Sequence, residues 1–499
     1  MVNSYRDITD DSISQFNCVL SQLNWDQICA GSDVNVCYNI FIDAYVSAYN
    51  VCFPMKIRRV KIRHHCPKPW ITKSILKSIR RKNILYKKWL QKRSSESLKK
   101  YKIYRNKLTS VLRNAEKMYY AARFDDVKNN MSKTWSLIKS VMKPDVEKSA
   151  SISQLQIDNV LVNDPKLIAN KFNNYFINVG SSLSEKIIDP GGSYLDYVKT
   201  SHLNSMFMLP TDESEILDIV SNFNPNKSPG YDSISPKVIK ASILCILKPL
   251  TSIFNLSLQE GIFPDRLKLA KVSPVFKCDD RSLVNNYRPI SVLPVFSKIL
   301  EKIVHTRLFG YLNKHNLLTD KQFGFREKHS TYMALINLVD KISTELDKNN
   351  STVGIFIDLS KAFDTINHEI LLNKLSYYGV RGNALKWFKS YLTDRSQFVQ
   401  IKDAKSDVLN IKCGVPQGSI LGPLLFIIYV NDIVNVSRIA HLIMFADDTN
   451  IFFSHSDPLA LNLLINSELE KLAHWFKINK LSLNIKNHYI VFRFKNNLS

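Results

Sequence analysis

Apolar residues recur at helical spacing through residues 71–93 and again through 98–124, where Tyr101, Tyr104, Leu108, Val111, Leu112, Ala115, Met118 and Ala122 fall mostly three or four positions apart. The spacing predicts two long amphipathic helices. Ahead of them, YNIFIDAYVSAYNVCFP (residues 38–54) carries weaker helical patterning that stops at Pro54. Residues 146–210 are looser, and DPGGSY (189–194) marks a turn and a domain boundary. From Thr211 the pattern tightens. TDESEILDIVSNF opens with an N-cap and an acidic first turn, after which helices and short strands alternate without the regular rhythm of a parallel sheet. The chain therefore reads as an N-terminal helical remnant (1–55), a helical connector (56–145), a linker region (146–210) and an α+β domain (211–499).

A chain of 499 residues exceeds what one hydrophobic core usually serves, so more than one domain is expected. The net charge of +24 points to a polyanionic partner, most simply nucleic acid. That charge is concentrated. Residues 56–123 hold 23 Lys and Arg against Glu96 and Glu116, a net of +21. A merely solvated helix face would mix Glu with Lys, whereas this segment interleaves its cations with Tyr and Trp, as a surface following a phosphate backbone would. The eight cysteines show no CxxC spacing and fit a reducing compartment. His64, His65 and Cys66 lack a second ligand pair at zinc spacing. The longest apolar run, ILGPLLFIIYV (420–430), is too short to span a bilayer, so it reads as buried core and no membrane partner is expected.

The chemistry lies in the aspartates. STVGIFIDLSKAFDTINHEILLNKL (351–375) predicts a buried strand over 352–357 that ends at Asp358 and is followed by an amphipathic helix. HLIMFADDTNIFF (441–453) sets Asp447 and Asp448 between two apolar runs. Neighbouring residues of a regular strand face opposite ways, so the pair can converge only at a distortion or a hairpin tip. Three carboxylates gathered at a strand end and a hairpin tip would repel one another unless cations sat among them. Oxygen-only ligation selects Mg²⁺ or Mn²⁺, the ions that serve in-line phosphoryl transfer.

Phe445-Ala446-Asp447-Asp448 resembles the xADD box of reverse transcriptases, and FIDLSKAFDTINHEIL resembles the preceding aspartate motif of the same palm domain. The likeness continues through SPGYDSISPKVIK, NYRPISVLPVFSKILEKIV, QFGFREKHST and GVPQGSILGPLLFIIYVNDI, in an order similar to that of non-LTR (LINE-type, jockey-like) retrotransposon enzymes. KPWITKSILKSIRRKNILY resembles the basic connector of such elements.

The resemblance implies a right-hand polymerase of fingers and palm that copies RNA into DNA from a primer 3′-hydroxyl, working as an intracellular ribonucleoprotein. It implies that Asp358 and Asp447 ligate both ions, with Asp448 as the third carboxylate. It also implies that Phe363 is the steric gate against a ribose 2′-hydroxyl, that Lys277 of PVFKCDD and Arg288 grip the triphosphate, and that Gln417 acts near nucleotide and template. Gly414 and Gly418 would permit close backbone approach there. Gly324 and Arg326 would shape the template path, and Lys486 of LNIKNHYIVF would keep a lysine role in a motif that reads one residue short. Asp364 is assigned no role beyond the start of its helix. The family's thumb is not read before Ser499, nor its endonuclease ahead of the connector, so a truncated copy is expected. An element remnant that only binds RNA is the alternative, and a palm-type nucleotide cyclase shares the acids but not GVPQGS.

Overall fold

The computed structural model describes residues 2–59, 68–142, 152–198, 201–484 and 488–493. His64, His65, Cys66 and Lys486 lie outside the described residues. The chain divides into two compact units. One comprises Met1–Tyr5 and Lys56–Ala150, the other Arg6–Met55 and Ser151–Ser499.

In the first unit the two helical stretches are α1 (Lys73–Lys92) and α2 (Ser95–Val127). The hydroxyls of Thr72 and Ser94 cap them by accepting the N–H groups of Ile75 and Ser97, each at 3.3 Å. Arg93, left-handed at φ 45°, ends α1, and the two-residue turn folds α2 back along it. Rings fill the seam: Tyr101 lies 5.2 Å from Tyr86 and stacks 6.4 Å from Trp89, while Trp70 meets Tyr119 and Tyr120 at 5.9 and 5.4 Å. Nearly all of the lysines and arginines of α1 and α2 are left exposed.

The second unit is larger than the 211–499 domain read from the sequence. The expected linker supplies α3 (Pro165–Glu185), which buries Ile168, Phe172 and Phe176 with Val272, Tyr287 and Val399. The expected N-terminal remnant joins the same core. Its helices Asp10–Gln22 and Val34–Cys52 pack on α4 (Pro236–Glu260), and Phe41 and Tyr45 meet Phe296 of α5 (Val295–Lys314) edge-on at 5.3 and 5.5 Å. Fully buried aromatics of this kind tie residues 6–55 to the second unit. Helix α4 is long and apolar enough to cross a membrane, yet more than half of its apolar stretch is buried inside the unit.

The longer strands of the two larger sheets are β1 (Leu269–Phe276), β2 (Tyr287–Val292), β3 (Ser351–Ile357), β4 (Ser396–Ile401), β5 (His441–Phe445), β6 (Asp448–His455) and β7 (His488–Phe492). In the first sheet β1 runs antiparallel to β2 and parallel to β4. The second is antiparallel throughout in the order β5-β6-β3-β7. Alternation along β6 sends Ile451 and Phe453 into the main core, while Phe452 faces Phe356, Ile443 and Ala334 of α6 (Thr331–Asp347). Both faces are covered, which explains the near-continuous apolar run of β3.

Beneath the second sheet lie α7 (His368–Tyr377), α8 (Gly422–Val430) and α9 (Pro458–Ile478). The run read as buried core is α8 with its N-terminal approach, and Leu424 to Val430 are all buried. A buried ion pair joins these helices: Lys374 Nζ stands 2.7 Å from Asp432 Oδ1, both side chains 0% exposed. Lys374 also donates to Tyr429 O at 2.6 Å, and Trp475 Nε1 donates to Asp432 Oδ2 at 3.4 Å. Removing one partner leaves a buried charge uncompensated. We expect Lys374→Met to lower unfolding free energy by about 3–5 kcal/mol in urea titrations, and Lys374→Met with Asp432→Leu to recover much of that loss.

Candidate active site

Asp358 follows the last residue of β3, and the β5–β6 hairpin turns at Ala446 and Asp447, with Phe445 and Asp448 as its last pair. Register pairs Thr449 with Ile357, so the next step along both strands sets Asp448 beside Asp358. All three aspartates therefore occupy one end of the sheet. Their proximity shows in Asp448, whose carboxyl is pushed up first by burial and then by the charges of Asp447 and Asp358, against a pull from Lys277. Asn484 steadies Asp358 by donating from Nδ2 to Oδ2 at 3.0 Å and from its backbone N–H to Asp358 O at 2.9 Å.

The hairpin tip is strained. Ala446 holds φ 57°, a region that costs an L-residue about 1 kcal/mol or more. Buried Gln322 holds it there, accepting the Ala446 N–H on Oε1 at 2.9 Å and donating Nε2 to Ala446 O at 3.2 Å. The same Oε1 accepts Gly324 N–H at 2.8 Å. Residues around Gln322 run beside β5, with Met444 N–H on Lys321 O at 2.9 Å and Phe323 N–H on Met444 O at 2.8 Å. A Cβ on Gly324 would lie 2.2 Å from Ala446 N. Gly324 thus permits close backbone approach to the acidic turn. Gln322 stands in the motif QFGFREKHST, but nothing in its spacing announces a contact 124 residues away.

Cations approach from the first sheet. Lys277 follows β1 and Arg288 lies on β2 opposite Val275, both exposed. Lys361 Nζ reaches the carbonyls of Asn285 and Tyr287 at 3.4 and 3.3 Å. Burial pushes its ammonium down, Asp364 pulls it back up, and Lys277 and Arg288 push it down further. The loop GVPQGS closes this side: Gly414 N–H donates to Ile366 O at 2.8 Å, Val415 N–H to Phe363 O at 2.9 Å, and Ser291 N–H to Gln417 O at 2.8 Å. Gly418 at φ 121° would bring a Cβ within 2.6 Å of Ser291 O, so glycine is required. The Phe363 ring stacks on Phe426 at 5.0 Å and meets Phe325 edge-on at 6.1 Å. Gln417 Nε2 donates to both oxygens of Asp364 at 2.9 Å, which gives Asp364 a contact the sequence reading did not foresee.

Not every expected residue joins. Asp358 and Asp448 line a cleft of about 620 Å³ with Leu338, Phe356, Ile443 and Asn484. Arg326 lines a different one, of about 750 Å³, with His202, Thr319, Tyr378 and Asn431, and donates to Thr319 O. Among the described residues no three His, Cys, Asp or Glu side chains are gathered tightly enough to hold one ion as they stand. The oxygen-only donor set nonetheless suits a hard divalent cation, and burial with the charges of Asp447 and Asp358 raises Asp448 by more than Lys277 lowers it.

Residues 276–491 match the family described as reverse transcriptase (RNA-dependent DNA polymerase). That segment is similar to a reverse transcriptase domain. Three of the curated proteins it is similar to come from Drosophila melanogaster. The protein named "Probable RNA-directed DNA polymerase from transposon BS" is 31% identical over 58% of this chain and 33% of its own length. The X-element counterpart is 32% identical over 50% and 28%. The RNA-directed DNA polymerase from mobile element jockey is 28% identical over 56% and 31%. In these alignments the chain spans about a third of each relative.

Repulsion at the domain's acidic edge has a measurable cost. Because Asp448 is harder to ionise folded than unfolded, its stabilising contribution is present below the ordinary value of 3.8 and lost as pH rises through the folded value. We expect Asp448→Asn to raise the melting temperature at pH 7 in chelator, with the gain closing toward pH 3.8.

Proposed function

We propose that the chain is the polymerase portion of a non-LTR retrotransposon protein, an RNA-directed DNA polymerase that extends a DNA 3′-hydroxyl on an RNA template. The observation that carries this reading is the convergence of Asp358, Asp447 and Asp448 at one end of the β5-β6-β3 sheet, within the segment that matches the reverse transcriptase family. In this reading that sheet is the palm and the β4-β1-β2 sheet belongs to the fingers.

Asp358 and Asp447 would hold Mg²⁺ or Mn²⁺, with Asp448 as the outer carboxylate. Bound there, the ions activate the attacking hydroxyl and stabilise the leaving oxygen of an in-line displacement. Lys277, whose charge acts on Asp448, and Arg288, both exposed, bind and orient the triphosphate, Arg through paired hydrogen bonds and Lys as a point charge. Phe363, pinned between Phe426 and Phe325, gives the sugar a rigid wall that admits deoxyribose and excludes a 2′-hydroxyl. Gln417 acts near the nucleotide and template. Gly324 and Arg326 contribute to template placement, Gly324 by letting its strand approach the acidic turn.

The test is primer extension by the full chain on an RNA template with dNTPs and Mg²⁺. Asp447→Asn and Asp358→Asn should each remove detectable extension while RNA affinity changes less than about twofold. Extension at the parent rate by either variant refutes the metal assignment.

Residues 56–123 supply a second contact with the template through phosphates. Neutralising four exposed lysines of α1 and α2 should flatten the salt dependence of RNA binding by about one unit of log–log slope per lost contact. An unchanged slope in an RNA titration from 50 to about 200 mM salt would make the helices a soluble connector.

A further inference from the structure

Asp364 has no part in the chemistry above, yet its carboxylate is among the most constrained polar groups near the site. Both oxygens accept Gln417 Nε2 at 2.9 Å. Its backbone is held on several sides: Cys413 Sγ donates to Asp364 O at 3.4 Å, and the neighbouring carbonyls of Phe363 and Ile366 accept from Val415 and Gly414. Helix α3 passes so close that a Cβ on Gly180 would lie 2.0 Å from Asp364 O. Lys361 provides the nearby positive charge, its ammonium 5.7 Å from the centre of the Tyr175 ring of α3.

A glutamine amide has two distinct ends, and an acceptor-only carboxylate discriminates between them. With Nε2 committed to Asp364, a flip of the amide would press Oε1 against two carboxylate oxygens. The side chain is therefore fixed, and among the described residues no donor reaches Oε1. The arrangement has a cost, because burial pushes the Asp364 carboxyl up to about 6 while the amide bond and Lys361 pull it down. A neutral residue would avoid that cost.

We propose that Asp364 is a positioning residue for deoxynucleotide binding: it locks the Gln417 amide so that Oε1 is presented as the acceptor beside Phe363, with Gly180 and Tyr175 of α3 completing the support. This rests on the polymerase reading, and it extends the nucleotide site to residues outside the matched segment 276–491.

The experiment compares Asp364→Asn, Gln417→Ala and the double variant in the full chain, with Mg²⁺ and an RNA template annealed to a DNA primer. Asparagine offers one acceptor where aspartate offers two, and lets the glutamine amide turn. Each single variant should raise the dNTP KM about five- to tenfold with kcat within about twofold of the parent. The double variant should be no worse than Gln417→Ala alone, since the two residues act through one contact. An unchanged KM in Asp364→Asn, or effects that multiply in the double variant, overturns the proposal.

Melting at pH 8 separates positioning from plain structural support. Asp364→Asn should melt no lower than the parent, because it removes a buried charge, whereas a residue kept only for the fold would melt lower. Lys361→Gln, which removes the positive charge acting on the Asp364 carboxylate, should raise KM in the same direction and decides the matter if Asp364→Asn does not fold. The same comparison is made without turnover by titrating a fluorescent deoxynucleoside triphosphate onto the full chain with a chain-terminated primer. A chain that extends no primer refutes the polymerase reading, while the Asp364–Gln417 coupling is still read from those affinities.

Discussion

Three like charges held at one end of a sheet set the terms for the second unit. At about 4 Å and partial burial, two carboxylates oppose each other by about 4 kcal/mol, enough to splay a free loop. Here splaying is resisted. Strands β3, β5 and β6 are hydrogen-bonded in register and covered on both faces, by the main core on one and by α6 on the other. Gln322 grips the hairpin tip at Ala446 through both ends of its amide. The repulsion therefore persists in the raised Asp448.

Positive charge is crowded beside the first sheet: Lys277 and Arg288 push the Lys361 ammonium down, and both stand exposed. In the polymerase reading proposed above, a bound triphosphate with its cations would answer both charges at once, its anionic oxygens meeting the lysines and arginine and the cations meeting the aspartates.

The acidic edge was legible in the sequence because strand alternation leaves adjacent aspartates few places to go, and a hairpin tip is one. The basic helices were legible for a similar reason: their period of three or four residues survives through helices of 20 and 33 residues on either side of Arg93. The extent of the second unit was harder to see. Ile168, Phe172 and Phe176 fall four apart and mark a buried stripe of α3, but the Asn and Lys between them and the serines that follow give the stretch the composition of a linker. Residues 6–55 carry an aromatic face whose partner, Phe296, lies some 250 positions later, and periodicity within one segment cannot name a distant partner. On the same ground the sequence does not single out Gln322 or assign Asp364 a role at the site. Each acts through polar contacts made between segments far apart in sequence.

That distance matters for where the functional unit ends. A segment that matches a family is bounded by similarity, whereas a site is bounded by contacts. Residues 276–491 contain every expected catalytic side chain, but β1 begins before that segment, at Leu269, and pairs with β2 and β4 within a core that α3 closes. Phe296 of α5 is packed by Phe41 and Tyr45, from the far N-terminal side of the chain. The backbone of Asp364 is approached by Gly180 more closely than any residue with a Cβ would allow. The support of the site is therefore a property of the second unit as a whole, and substitutions in residues 6–55 or in α3 act on the same core that holds the aspartates in place.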